Sequence, residues 1–202
     1  MALTESTMLK LGSPAPEFSL PSTAGNSVSK GDFEGQPLLV MFICNHCPYV
    51  KHLADQIKSV ADDYADRIGV VGIQSNDTKD YPDDSFEKMK EEVESRGYAF
   101  PYLLDADQSV ARAFTAACTP DFFLFDADHA LAYRGRFDET RPTRIESGVY
   151  DSTQSPSTGS EIRAAIDAVL AGQAPAEKQY PAMGCNIKWT RGNEPDYFPT
   201  ES

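Results

Sequence analysis

The segment that most constrains the fold is Pro37 to Ile43, PLLVMFI, an apolar run that stops abruptly at Cys44, Asn45, His46 and Cys47. Its nearly unbroken apolar character suits a strand buried on both faces. Past the polar break, Tyr49, Leu53, Ile57, Val60 and Tyr64 recur at three- or four-residue spacing, with Lys51, Asp55, Lys58 and Asp62 between them. That period predicts one amphipathic helix over about residues 48–66. A buried strand feeding a helix through two spaced cysteines points to an α/β fold with its chemistry at that junction.

The alternation continues downstream. IGVVGI at 68–73 reads as a second interior strand, and Phe86, Met89 and Val93 mark the buried stripe of a helix ending near Gly97. A short strand near Phe100 to Leu104 and a short helix near Gln108 to Phe114 lead to a core strand at Phe122 to Phe125. Leu131 to Arg134 is its expected antiparallel partner across the break at Ala127 to His129. Upstream of the spine, Pro14, Pro16, Pro21, Gly25, Gly31 and Gly35 predict a hairpin-like leader over residues 12–36.

The last helix carries Ile162, Ala165, Ile166, Val169 and Leu170 behind the box Thr158, Gly159, Ser160, Glu161. Thr158 is expected to cap it, Glu161 to reciprocate and Gly172 to stop it. Residues 138–160 form an unusually long connector, a length associated with function or mobility. In the tail, Cys185, Ile187 and Trp189 lie among few charges, so residues 173–202 are expected to dock on a single domain spanning 1–172.

Composition removes several classes. With 202 residues, 41% apolar and 24% charged, the chain is long enough for one well-buried core, too apolar for general disorder and too poor in cysteine for a disulfide miniprotein. A formal charge of −13 repels phosphate backbones and anionic lipid, so neither nucleic acid nor membrane is expected as a partner. No apolar run approaches the roughly 20 residues that span a bilayer, and the N-terminus lacks the basic and apolar regions of a secretory signal. A cytoplasmic protein is expected. In that reducing compartment four cysteines point to redox chemistry or metal binding rather than permanent staples.

Cys44 and Cys47 are the candidate catalytic pair. Helix N–H groups and the helix dipole can stabilise a thiolate at Cys44, and Cys47, one turn on, can resolve a mixed disulfide formed there. His46 can tune the thiolate, accept a proton or bind metal, or simply face solvent.

Four stretches carry a resemblance: PAPEFSL at 14–20, FICNHCPYV at 42–50, CTPDFFLFD at 118–126 and YRGRFD at 133–138. The chain resembles the thioredoxin-fold superfamily, specifically peroxiredoxin-like proteins of the thiol-specific antioxidant and alkyl hydroperoxide reductase type. The resemblance covers roughly residues 10–172 and implies a central mixed sheet flanked by helices. It also implies that Pro120 is cis and walls the substrate side, and that the Thr119 backbone pairs with a bound thiol segment. Peroxiredoxins place a threonine three residues before the attacking cysteine. Aligned through the shared Cys-Pro step at Cys47, that position is Cys44, so the peroxide pocket is incomplete and the pair looks more like a thioredoxin dithiol. The tryptophan that precedes the thioredoxin pair is Ile43 here.

Cys118, two residues before Pro120, is either a buried structural thiol or an auxiliary resolving one, and Cys185 in the tail could close back on Cys118 or Cys47. Arg136 could lend positive potential if its turn points inward, and Trp189 could cover the site or anchor the tail. Cys44, Cys47 and a histidine could hold a soft metal, but no second cluster completes such a site, and His129 gives only a loose echo of the copper-delivery relatives. The expectation is therefore a thiol-disulfide oxidoreductase with no organic cofactor. It would act on a protein or small-molecule disulfide and draw on an external thiol reductant, with a thiol-dependent peroxidase and a soft-metal binding or delivery protein as the alternatives.

Overall fold

In a computed structural model of the chain, residues 3–198 are described. The apolar run forms β4, Leu38–Phe42, buried along its whole length. Side chains alternate across a strand, so Leu39 and Met41, with Ile43 just beyond, face one side and Leu38, Val40 and Phe42 the other. The two faces accordingly seed two separate cores. The sheet has the order β6 (Tyr102–Leu104), β5 (Gly69–Gln74), β4, β8 (Asp121–Phe125), β9 (Leu131–Tyr133). β4, β5 and β6 are parallel, β8 pairs antiparallel with β4, and β9 pairs antiparallel with β8.

On the odd face of β4 lie α1 (Pro48–Tyr64), α2 (Phe86–Arg96) and α4 (Ser160–Leu170), which contribute Leu53 and Ile57, Met89, and Ile162 and Ile166. On the even face Phe114, at the end of α3 (Ser109–Ala113), meets the rings of Phe42, Phe123 and Phe125 edge-on at centroid distances of 5.4–6.0 Å. The leader supplies the hairpin β2 (Ser19–Pro21) and β3 (Ser27–Ser29), which adds Leu20 and Val28 to that core. Burial of these aromatic rings is the dominant stabilising contribution on this side.

The long connector contains a hairpin of its own, β10 (Thr143–Glu146) with β11 (Val149–Asp151). Its start and end are tied by one side chain. Asp138 Oδ1 accepts the Thr140 backbone N–H and hydroxyl at 2.9 and 2.6 Å. Its Oδ2 accepts the Ser157 hydroxyl and the backbone N–H groups of Thr158 and Gly159 at 2.6–2.8 Å. The capping box expected from Thr158 and Glu161 is thus replaced. The residue preceding α4 is Gly159, at φ +66°, and Glu161 pairs with Arg136 instead. A Cβ at Gly159 would also come within 2.9 Å of the Phe137 ring.

Burial pushes the Asp138 carboxyl up, but the Ser157, Thr140 and Gly159 donors outweigh it and hold the group below its usual range. A depressed folded value means the anion stabilises the fold above the unfolded pKa, and that contribution is lost as the pH falls through the folded value. Asp138→Ala is expected to cost about 2–4 kcal/mol by denaturant titration near neutral pH, with the gap narrowing below about pH 4. An unchanged midpoint would show that the tie contributes nothing.

The tail also forms sheet. β12, Met183–Asn186, runs antiparallel between β1 (Leu3–Glu5) and β7 (Cys118–Thr119), opposing Cys185 to Leu3 on one side and to Thr119 on the other. Ile187 and Trp189 then enter the even-face core. Trp189 meets Tyr197 edge-on and lies under the Arg112 guanidinium, so it anchors the tail rather than covering the cysteines.

Candidate functional site

Proline at the first position of α1 leaves no N–H to satisfy there, so the helix starts at Pro48 with Cys47 as the residue before it. Cys44 lies one turn earlier, in the loop that leaves β4. This loop is held from below by a residue the sequence reading did not single out. Asp84, fully buried, accepts the backbone N–H groups of Asn45 (2.9 Å) and His46 (3.3 Å) on one oxygen. Its other oxygen meets His46 Nδ1 at 2.6 Å and Asn76 Nδ2 at 2.8 Å. The Tyr102 hydroxyl adds bonds to the Ile43 carbonyl and the Asn45 side chain. His46 stacks on Tyr81, with ring centroids 5.6 Å apart. It is therefore a strut of the loop and not the solvent-facing spacer that one reading of the motif allowed.

On the other side stands Thr119, whose peptide bond to Pro120 is cis. The Thr119 hydroxyl is 3.2 Å from Cys44 Sγ, and its carbonyl is 3.1 Å from Cys47 Sγ. Cys44, Cys47 and Cys185 of β12 share one buried cluster, and the Cys47 sulfur is electrostatically coupled to both of the other thiols. Three sulfurs thus meet at Cys47. All are secluded, with residue exposures of 2% for Cys44, 0% for Cys47 and 3% for Cys185.

The surroundings of the two sulfurs push their ionisation in opposite directions. Burial pushes the Cys44 thiol up, and its hydrogen bond to Cys47 and the negative charge of Asp84 push the same way, leaving it well above an ordinary thiol despite the Thr119 hydroxyl. Burial also opposes ionisation of Cys47. There it is outweighed by the Cys185 and Cys44 thiols and by the N–H groups of Val50 and Cys185, so Cys47 is held well below the ordinary value. Besides burial, the Thr119 carbonyl, which accepts from the protonated thiol, disfavours the anion. The helix N-terminus that the sequence reading gave to Cys44 serves Cys47 because Pro48 starts the helix.

The remaining candidates separate. Cys118 neighbours Thr119 on β7 but projects the other way, donating to the Pro120 carbonyl at 3.4 Å; burial and the Asp121 charge push its thiol well up. Arg136 does not turn toward the sulfurs. It binds Glu161 through two nitrogens at 2.9 and 2.6 Å and lies over the Tyr180 ring. His129 bonds the Phe33 carbonyl. Pro120, Met183, Thr140 and Arg141 help line a small cleft of about 70 Å³. Tyr150 of the β10–β11 hairpin packs on Tyr49 at the start of α1.

Cys44 Sγ, His46 Nδ1 and a carboxylate oxygen of Asp84 lie within 4.8 Å of one another, a donor set that could hold a cation. Among the described residues no further His, Cys or acidic donor joins that group. Asp84 is moreover occupied by four nitrogens of the loop and of Asn76, which a cation would have to displace.

A sequence-family model, the AhpC/TSA family, matches residues 11–134, which includes the strand, both motif cysteines and the Thr119–Pro120 step. The chain belongs to the AhpC/TSA family. Its sheet and helices are thioredoxin-like. A thioredoxin-family thiol:disulfide interchange protein from Chlorobium tepidum superposes with a TM-score of 0.60 at 19% identity, covering 80% of this chain and 98% of that one. An uncharacterized conserved protein from Geobacillus kaustophilus is far more similar, with 46% identity, a TM-score of 0.86 and coverage of 94% and 97%. A Mycobacterium tuberculosis protein provisionally named a peroxiredoxin is 31% identical over 116 residues, 56% of this chain and 69% of that one. This member of the AhpC/TSA family therefore has a thiol redox function and is a redox enzyme. Among the described residues, no helix is long and apolar enough to cross a membrane.

Proposed function

We propose that the protein is a thiol-disulfide oxidoreductase in which Cys47 attacks and Cys44 resolves. The observation that carries this reading is the convergence of thiol and N–H donors on the Cys47 sulfur, which favours its thiolate while the Cys44 thiol stays protonated. Cys47 thiolate attacks one sulfur of a disulfide and expels the other half as a thiolate. Cys44 then gives up its proton, attacks Cys47 Sγ and releases the second half, leaving a Cys44–Cys47 disulfide. An external thiol reductant restores the dithiol. Pro120 and Thr119 wall the site, and Asp84 with His46 holds the loop that carries Cys44. The near-complete burial of the sulfurs favours a small disulfide over a protein one. A cytoplasmic thiol pool would suit such a cycle.

Native-state alkylation across a pH series, read by peptide mapping, tests the assignment. Cys47 is expected to label before Cys44, with a midpoint below that of an ordinary thiol, about 8.5. Labelling of Cys44 first would reverse the roles.

A peroxidase is the second reading, favoured by Cys47 itself. Its low pKa and its place before Pro48 match the attacking cysteine of the family's Cys-Pro step, and its seclusion admits a small oxidant. Side-by-side turnover decides between them. Efficient use of a low-molecular-weight disulfide with slow peroxide consumption supports the first reading, and the reverse supports the second.

A further inference from the structure

We infer that Cys185 is a second resolving thiol for Cys47, carried on a strand that occupies the substrate edge beside Pro120. The inference deepens the proposed exchange reaction and rests on Cys47 being the attacking sulfur. Two features of the fold carry it. First, Cys185 and Cys44 lie in the same buried cluster as Cys47 and both thiols favour its anion, so a covalent adduct on Cys47 is flanked by two thiols rather than one.

Second, the backbone holds Cys185 in place. β12 pairs Cys185 with Thr119, the residue whose side chain and carbonyl already contact Cys44 and Cys47. The neighbouring Gly184 packs so close that a Cβ there would lie 2.7 Å from the Thr119 carbonyl carbon. The strand is locked on its far side by pairing with β1 and downstream by buried Ile187 and Trp189. This is a third thiol held beside the reactive sulfur by backbone pairing, in contrast to Cys118, whose thiol points to the Pro120 carbonyl.

The same strand fills the open edge of β7. An incoming peptide cannot pair with the Thr119 backbone while β12 is seated, so the closed protein admits low-molecular-weight disulfides and excludes extended protein segments. The chemistry balances as follows. Cys47 thiolate attacks a small disulfide RSSR, forming Cys47–S–S–R and releasing RS⁻. The Cys185 proton passes to that RS⁻, and the resulting Cys185 thiolate attacks Cys47 Sγ. The Cys47 Sγ–SR disulfide bond breaks, a second RS⁻ leaves and takes a proton from solvent, and a Cys47–Cys185 disulfide remains. One disulfide is reduced to two thiols and two protein thiols are oxidised.

The test uses the full chain as Cys44→Ser, treated with an oxidised low-molecular-weight dithiol-free disulfide such as hydroxyethyl disulfide, then quenched with acid and mapped by peptide mass. The expected product is an intramolecular Cys47–Cys185 disulfide with no retained R group. Accumulation of a stable Cys47 mixed disulfide would overturn the role of Cys185 while leaving Cys47 as the attacking thiol. An adduct elsewhere with Cys47 free would overturn both. Wild-type protein under excess oxidant is mapped in parallel, so that an unfolded variant does not decide the matter. A population joined through Cys47 and Cys185 is expected there, and its absence at every oxidant level would count against the inference.

Discussion

Cys47→Ser is expected to lower the kcat/KM for a small disulfide by on the order of a thousandfold or more, because it removes the sulfur whose ionisation the neighbouring donors favour. Cys44→Ser is expected to behave differently. The Cys47 thiolate exchanges one thiol donor for a hydroxyl and keeps the Cys185 thiol and the N–H groups of Val50 and Cys185. First attack should therefore survive, and the defect should fall on resolution. Single-turnover release of the first thiol would stay near the wild-type rate while steady-state turnover drops. Equal loss of first-thiol release in both variants would show that the two sulfurs do not have separate roles.

Gly184→Ala should produce the largest structural effect of any single methyl group added in this part of the fold. The added Cβ would meet the Thr119 carbonyl, a backbone group fixed between β12 and the Pro120 turn, which cannot swing aside as a flexible side chain would. Overpacking of this kind costs about 1–3 kcal/mol or more. Here the release route is for β12 to leave β7. Two readouts should move together. The denaturation midpoint falls, and Cys47 and Cys185 alkylate faster as their cover lifts. A variant with wild-type stability and wild-type labelling would mean that the strand does not depend on this close approach.

The sheet and the main helices were legible in the sequence because each answers to a local period. β4 shows as an unbroken apolar run, α1 as a stripe from Leu53 to Tyr64, and the β8–β9 pair as apolar segments around a polar break. The Thr119–Pro120 step was reached through the family resemblance, since nothing in its immediate neighbours demands a cis bond. The long-range ties were not legible. Asp84 sits in the stretch YPDDS, which reads as an ordinary turn, and only the fold brings its carboxylate under Asn45 and His46. Asp138 displaced the local Thr158–Glu161 box because it satisfies both ends of the connector at once, and Glu161 was taken by Arg136.

The proposed order within the CxxC pair turns on a single position. Spacing alone cannot say where the helix begins. With Pro48 as its first residue the dipole and the free N–H groups fall to Cys47, and the negative Asp84 falls beside Cys44. Cys185 could be seen as a tail cysteine with apolar neighbours. Its register against Thr119 could not, since pairing between residues so distant in the chain is set by the strand edge that β7 leaves open.

In the proposed mechanism Cys47 is the hub of a redox-active thiol cluster. The most direct measurement is disulfide mapping of the wild-type protein equilibrated across a series of thiol-disulfide redox buffers. Every protein disulfide that forms is predicted to include Cys47, with Cys44 as its main partner and Cys185 as the second. An oxidised protein in which Cys47 remains a free thiol would contradict it.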